Sequence, residues 1–247
     1  PNSAQFDEAV ALLKNLSALD TKGKITDHGK ALAALPLHPR LAHMLKLSGP
    51  QAAGLAALLA DRDPLQRGAP GDLALRLEAL SDPKRFEQRR PYKIERPILE
   101  RIKLETRRLK PFCPDISPNF SKAQMAAMAY PDRIAMRRKG LPPRYLLSSG
   151  KGAILVAEDS PLTQRLLVAT DLDGDPKEAR IRTAISISEA ELRELFALQI
   201  CWQNTCSWSK RERRVLARSQ ERFGAIVLND RIWKDAPPTA ISLAMLT

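Results

Sequence analysis

Leu32-Ala33-Ala34-Leu35-Pro36-Leu37-His38-Pro39-Arg40-Leu41-Ala42 is the stretch on which the reading of this chain turns. Leucine and alanine at helical spacing run up to Pro36, and the same texture resumes after Pro39. Each proline removes an amide donor, fixes φ, and turns the residue before it away from helix. The segment therefore predicts two helices joined by a short rigid break. Arg40, just past the break, has two readings: it braces the joint, or it touches a backbone phosphate.

Upstream, Phe6, Val10, Leu13 and Leu16 mark one side of an amphipathic helix over Phe6 to Leu19. Leu19 to Thr26 then places a Lys22-Gly23 turn between two short extended pieces, a small hairpin of the kind that forms the wing of a winged helix. Thr26 is placed to N-cap the next helix. Downstream, helices are predicted over Ala52 to Ala60 and Asp72 to Leu80, and a longer one from near Pro97. Ile98, Ile102 and Leu109 share one face of that helix; Lys103, Arg107 and Lys110 share the other.

The texture changes after about Ser121. A short helix over Lys122 to Ala129 leads into five short apolar segments: Arg133 to Arg137, Arg144 to Leu147, Ala153 to Val156, Leu166 to Ala169 and Ala179 to Arg182. Turn residues separate them at a spacing that suits a small β-barrel. Ser188 is placed to cap a helix over Glu189 to Phe196. The tail reads as a basic helix over Lys210 to Arg222 and a strand over Ala225 to Leu228.

A chain of 247 residues with 44% hydrophobic and 28% charged residues is globular, with room for one large or two ordinary domains. No apolar run reaches the ~18 to 20 residues of a membrane helix, and no secretory leader is visible, so a cytoplasmic protein with no membrane partner is expected. Pro1 in place of Met reads as the start of a fragment. Cys113, Cys201 and Cys206 fit a reducing compartment, and His28, His38 and His43 lie far from them in sequence, so no zinc site is expected. The net charge of +12 concerns partners rather than fold. It is clustered: eleven Lys/Arg against four Glu between Lys84 and Pro111, six against none between Arg133 and Lys151, and six against two between Lys210 and Arg222. A polyanion-binding surface requires such clustering.

Local matches to catalytic motifs fail on inspection. Asp7-Glu8-Ala9-Val10 resembles a helicase acidic box but has no strand before it; it is the polar first turn of a helix. Ile154-Leu155-Val156-Ala157-Glu158-Asp159 mimics a strand ending in metal-binding acids and reads instead as a strand entering a turn. The phosphate loop G-x-x-x-x-G-K-[ST] is missing: Gly150-Lys151 has Tyr145 where the first glycine belongs, and Gly23-Lys24 has Ala18. Asp171-Leu172-Asp173-Gly174-Asp175 starts like a calcium loop, but Pro176 and Arg182 stand where its glycine and glutamate belong, which leaves a β-turn. No catalytic residue is assigned.

Leu19-Asp20, Gly23, Ile25-Thr26, Gly29 and the Leu32 to Ala42 stretch together resemble the helicase-associated region of DEAH-box helicases. Ala57 to Leu65 and Asp72 to Leu77 continue the resemblance. Ala129-Tyr130-Pro131-Asp132-Arg133-Ile134-Ala135, Arg144 to Ala153 and Arg222 to Leu228 resemble the bacterial HrpB branch. The resemblance implies an α+β chain in a set order. Residues 1–27 are the end of a winged helix, and 28–120 a helical, ratchet-like helicase-associated domain. Residues 121–196 are an OB-like β-barrel, and 197–247 an extension packed on it. It also implies a parent ATP-dependent helicase whose RecA-like motor domains bind ATP and Mg, while this part holds no cofactor and no metal and is inactive alone. The expected role is to bind and guide single-stranded nucleic acid, RNA before DNA. Candidate contacts are Arg133, Arg137, Arg138, Lys139, Arg144 and Lys151, with Lys103 and Arg107 from the helical part. Tyr145 either stacks a base or fills the barrel core; Lys103 and Arg107 either meet phosphate or form a solvated face. The rival reading is a basic adaptor that docks an acidic protein.

Overall fold

The computed structural model describes residues 3–140, 143–155, 162, 164–174, 179–210 and 212–245. Helix α1 (Ser3–Asn15) leads into the hairpin, where Leu19 bridges Ile25, the Asp20 amide donates to the Lys24 carbonyl at 2.9 Å, and Gly23 turns with φ 81°. Thr26 caps α2 (Asp27–Ala33), its Oγ1 accepting the Gly29 amide at 2.9 Å. The helix ends before Pro36. Helix α3 (Pro39–Ser48) starts at the second proline, with the His38 ring accepting the Arg40 amide at 3.3 Å. A 3-10 turn at Gly49–Ala52 feeds α4 (Ala53–Ala60), which is buried on most sides. Asp72 caps α5 (Leu73–Ser81), and Asp82 caps α6 (Pro83–Arg89), a helix the sequence reading passed over. Helix α7 (Arg96–Leu109) packs on α4 through the fully buried Ile102 and Leu109.

A capping box on Ser121 and Gln124 starts α8 (Lys122–Ala129), every residue of which beyond Lys122 is buried. Strands β1 (Ile134–Arg137), β2 (Arg144–Leu147), β3 (Gly152–Leu155), β4 (Leu166–Leu172) and β5 (Ala179–Ser186) follow and close a barrel in the order β1-β2-β3-β5-β4. Its pairs are antiparallel except β3 with β5. Strand alternation splits the side chains two ways. Ala135, Tyr145, Leu147, Ala153, Leu155, Leu167, Ala169 and Ile181 fill the barrel. Ile134, Leu166, Val168 and Ile185 join the main core with α3, α4, α7 and α8. The α+β class with a small OB-like barrel is the architecture the sequence predicts.

A second capping box, on Ser188 and Glu191, starts α9 (Glu189–Phe196). The chain then forms an antiparallel sheet of β6 (Cys201–Ser209), β7 (Arg214–Phe223) and β8 (Ile226–Ile232), and ends in α10 (Pro238–Met245). The expected basic helix over Lys210 to Arg222 is therefore wrong: most of it is β7. Val215, Leu216 and Ala217 run consecutively and make no apolar stripe at helical spacing. Their amides and carbonyls belong to a ladder on β6, in unbroken register from Cys201 opposite Arg222 to Ser209 opposite Arg214. The acidic turn expected after Leu155 lies in residues 156–161, outside those described, as do Asp175 and Pro176 of the calcium-loop lookalike.

Two backbone seams join the parts. The Ala184 amide of β5 donates to the Gly71 carbonyl at 2.8 Å, beside a bridge from Asp72 to Ala184. The Ala225 amide donates to the Ser148 carbonyl at 2.9 Å. Phe223, Ile226 and Leu228 enter the main core, with Phe223 and Phe196 rings 4.9 Å apart.

Candidate nucleic-acid interface

At one end of the β1–β2 pair the structure gathers four candidates. Arg137 stands opposite Tyr145, and the Arg138 amide donates to the Arg144 carbonyl at 2.7 Å; Lys139 follows in the turn. Arg138, Lys139 and Arg144 are exposed and Arg137 is half-buried. Directly opposed residues in a ladder share a face, so Arg137 lies on the Tyr145 side, at the barrel mouth. Arg144 lies on the other side. Its partner on β3 is Ile154, whose partner on β5 is Arg180. Arg144, Ile154 and Arg180 thus form one outward row across three strands, with the two arginine Cα atoms about 10 Å apart at the usual strand spacing. Arg182 is two residues further along β5 on the same face and also exposed. Sequence reasoning missed Arg180 and Arg182. The strand holding them was legible, but its parallel placement beside β3 is set by a crossover that local pattern does not reveal.

Lys151 and Arg133 sit apart from that row. Lys151 is at the far end of β2, its carbonyl accepting the Leu147 amide at 2.9 Å, and its Nζ pairs with Glu8 of α1 at 2.7 Å. Arg133 is half-buried, with its guanidinium 5.2 Å from the Tyr130 ring centroid. Arg40 stacks at 5.2 Å on the same ring, bonds both Asp132 oxygens at 2.5 and 2.9 Å, and donates to the Ala129 carbonyl at 3.1 Å. Burial works against the Asp132 charge, but the Arg40 hydrogen bond and the charges of Arg40 and Arg133 outweigh it and hold the carboxyl below its ordinary range. Arg40 therefore braces the joint between α3 and the barrel entrance; its side chain is committed inward.

Tyr145 is 1% exposed, and its hydroxyl donates to the Leu162 carbonyl at 3.0 Å. Burial pushes its hydroxyl pKa up, against the opposing charge of Arg137. The ring is barrel core and offers no face to a base, so of its two sequence readings the core one holds. Lys103 and Arg107 are on α7 in the helical body, not beside the barrel row. Lys103 is bonded to Glu100 at 2.9 Å; Arg107 is exposed. The same segment holds further local pairs, Arg90 with Glu78 at 2.9 Å and Arg108 with Glu105 at 2.8 Å, and Arg96 and Arg101 bond Glu87 and Asp61. Among the described residues no group of three His, Cys, Asp or Glu could hold a metal, and no helix is long and apolar enough to cross a membrane.

Residues 9–37, the hairpin and the helix it caps, match the helicase associated domain (HA2), winged-helix. No curated protein matched the chain by sequence. A structure of the DExH-box NTPase HrpB of E. coli matches with a TM-score of 0.71 and 26% identity, over 100% of this chain and 29% of that one. A second, of the E. coli DEAH/RHA helicase HrpB, matches with a TM-score of 0.69 and 24% identity over the same shares. The winged-helix match over residues 9–37 and the structural match over the whole chain support a C-terminal, helicase-associated region of the DEAH-box type. Within that class its likeness is to HrpB of E. coli, of whose structure it spans less than a third.

Proposed function

We propose that this region binds and guides single-stranded nucleic acid, RNA before DNA, across the outward face of β2, β3 and β5. RecA-like motor domains of a longer parent chain would step along the strand, binding ATP and Mg there. The observation that carries this reading is the outward row of Arg144, Ile154 and Arg180, continued by Arg182 on one side and by Arg138 and Lys139 in the β1–β2 turn. Guanidinium groups meet phosphate oxygens whatever the base sequence, and the aliphatic Ile154 between them reads no base edge. Such a row tracks a backbone without selecting a sequence, as a translocating machine requires. OB-like barrels present oligonucleotides on the strands corresponding to β2 and β3, and in the turn between the first two strands. The free thiols of Cys113, Cys201 and Cys206 accord with a reducing, cytoplasmic setting.

The test is binding of the 247-residue chain to random-sequence single-stranded RNA at several salt concentrations. Arg144→Glu with Arg180→Glu should weaken binding uniformly across sequences. The salt slope should flatten by about 0.7 for each phosphate the protein no longer neutralises. Unchanged affinity and slope in a folded double variant would overturn the reading. Salt-insensitive, saturable binding to an acidic protein, with none to RNA, would favour an adaptor instead.

A further inference from the structure

We infer that the β6–β7 hairpin is a second contact for the same single strand, which holds unpaired bases by stacking on Trp202 and Trp208. This rests on the reading of the region as a single-strand guide, and supplies what the barrel lacks. The barrel row offers charge alone, because Tyr145 is enclosed.

The register of β6 on β7 is unbroken, so Trp202, Asn204, Cys206 and Trp208 share one face. Six residues of strand separate the two indoles by about 20 Å. The sheet ends on β6, and α10 packs on β6 and β7. Even so, Trp202 remains 45% and Trp208 41% exposed. Indole rings held open on a rigid strand are stacking platforms. The surrounding charge says for what. The Arg231 guanidinium carbon lies over the Trp202 ring, 4.1 Å from its centroid, so it covers one face of that indole and sets a cation against it. The turn after Trp208 carries Lys210 and Arg213, while Arg214, Arg218 and Arg222 of β7 stand opposite Ser209, Thr205 and Cys201, on the other face of the sheet. On the tryptophan face Glu221 stands opposite Trp202, held by Arg193 at 2.7 Å, which with Asn229 draws its carboxyl down to a pKa of about 2. Glu212 is tied to Arg214 at 2.5 Å. A ligand that answers both features is a polyanion with open flat faces, which is single-stranded nucleic acid. A duplex keeps its base faces stacked, and an acidic peptide has charge without them.

All three tryptophans, Trp202, Trp208 and Trp233, lie in this extension, so fluorescence excited selectively at tryptophan rather than at Tyr92, Tyr130 and Tyr145 reports on it alone. Random single-stranded RNA added to the 247-residue chain should quench that fluorescence. An abasic phosphodiester strand should bind more weakly and quench little. Trp202→Leu with Trp208→Leu should lose roughly ten-fold or more in RNA affinity, with the salt slope unchanged, because stacking releases no counterions. Trp202→Tyr with Trp208→Tyr, which keeps two flat rings, should retain most of the binding and covers the case in which the leucine variant misfolds. If the leucine variant binds RNA like the parent chain while Arg144→Glu with Arg180→Glu does not, the stacking inference falls and the barrel reading stands. If polyglutamate quenches as well as RNA does, the surface is a protein contact and the inference is overturned. If RNA neither binds nor quenches, both readings fall together.

Discussion

Arg40 carries a charge into a site where 7% of the residue is exposed, and everything it needs comes from residues 129–132. Removing one partner of such a pair leaves the other charge half-enclosed, so Arg40→Ala should lower unfolding free energy by about 3 kcal/mol, read from the urea midpoint. A change under ~1 kcal/mol would mean that the pair is solvated and braces nothing. The sequence left Arg40 between bracing and phosphate contact because Asp132 is 92 positions away, and no local pattern connects the two. A second device at this scale is the bond between His28 Nε2 and His43 Nδ1, 2.9 Å long, which needs one ring to donate and the other to accept. Burial, then the nearby His28, lowers the His43 pKa from 6.5 to about 4. An unfolded imidazole takes its proton near pH 6.5 and this one only near 4, so unfolding binds protons between those values. The stability from a neutral His43 is complete above about pH 6.5 and drains away, by up to ~3 kcal/mol, as pH falls towards 4. His43→Gln should show a shallower loss over that window in denaturant titrations. Equal slopes for the two proteins would remove His43 as the source.

Helix starts were the most legible elements, because caps are local. Thr26, Asp72, Ser121 and Ser188 each accept an amide within three residues of themselves. Asp82-Pro83 carries the same signal for α6 and went unread beside the denser charge around it. The sheet of β6, β7 and β8 was legible only at β8. Strand β7 has no alternation strong enough to declare itself, and its partner β6 is mostly polar. What holds the elements together is also non-local. A Cβ on Gly71 would fall inside contact distance of the Arg182 carbonyl oxygen, on the seam where Ala184 bonds Gly71. Backbone cannot yield there without parting α5 from β5. Gly68, three residues earlier, has φ 99° but nothing within 4 Å of an added Cβ. Gly71→Ala should therefore cost about 3 kcal/mol and Gly68→Ala about 1, the latter from backbone strain alone. The two thermal midpoints order the effects. If Gly68→Ala is the more damaging, the seam has slack and does not fix the barrel to the helices.

Net charge is a property of the whole chain, but its usable part is set by pairing. The segment from Lys84 to Pro111 has the largest surplus in sequence, yet Arg90, Arg96, Arg101, Lys103 and Arg108 are each bonded to a carboxylate. Exposed pairs of this kind add little stability, but each cancels a charge that a phosphate would otherwise meet. On the barrel row Arg180 also has an acid beside it: an Asp173 oxygen takes the Arg180 amide at 2.6 Å, and the carboxylate pairs with its Nε at 4.0 Å, a longer contact than those on α7. Clustering in sequence is what prompts the proposal of a polyanionic partner. Where clustering survives in space depended on the β3–β5 crossover and on acids such as Asp61 and Glu78, which lie outside the basic run. Lys103→Glu with Arg107→Glu and Arg144→Glu with Arg180→Glu make the same change in net charge. If a diffuse field governed affinity, the two pairs would weaken RNA binding equally at low salt and flatten its salt dependence alike. With direct contact at the barrel, the second pair should cost several-fold more, and the salt slope should fall by about 1.4, the value for two phosphates set free, against little change for the first pair. Circular dichroism must show both variants folded, since a glutamate at 103 would face Glu100 on the same helix. Should the α7 pair prove the more damaging, the strand lies on the helical body, and the outward row of the barrel is a solvated face.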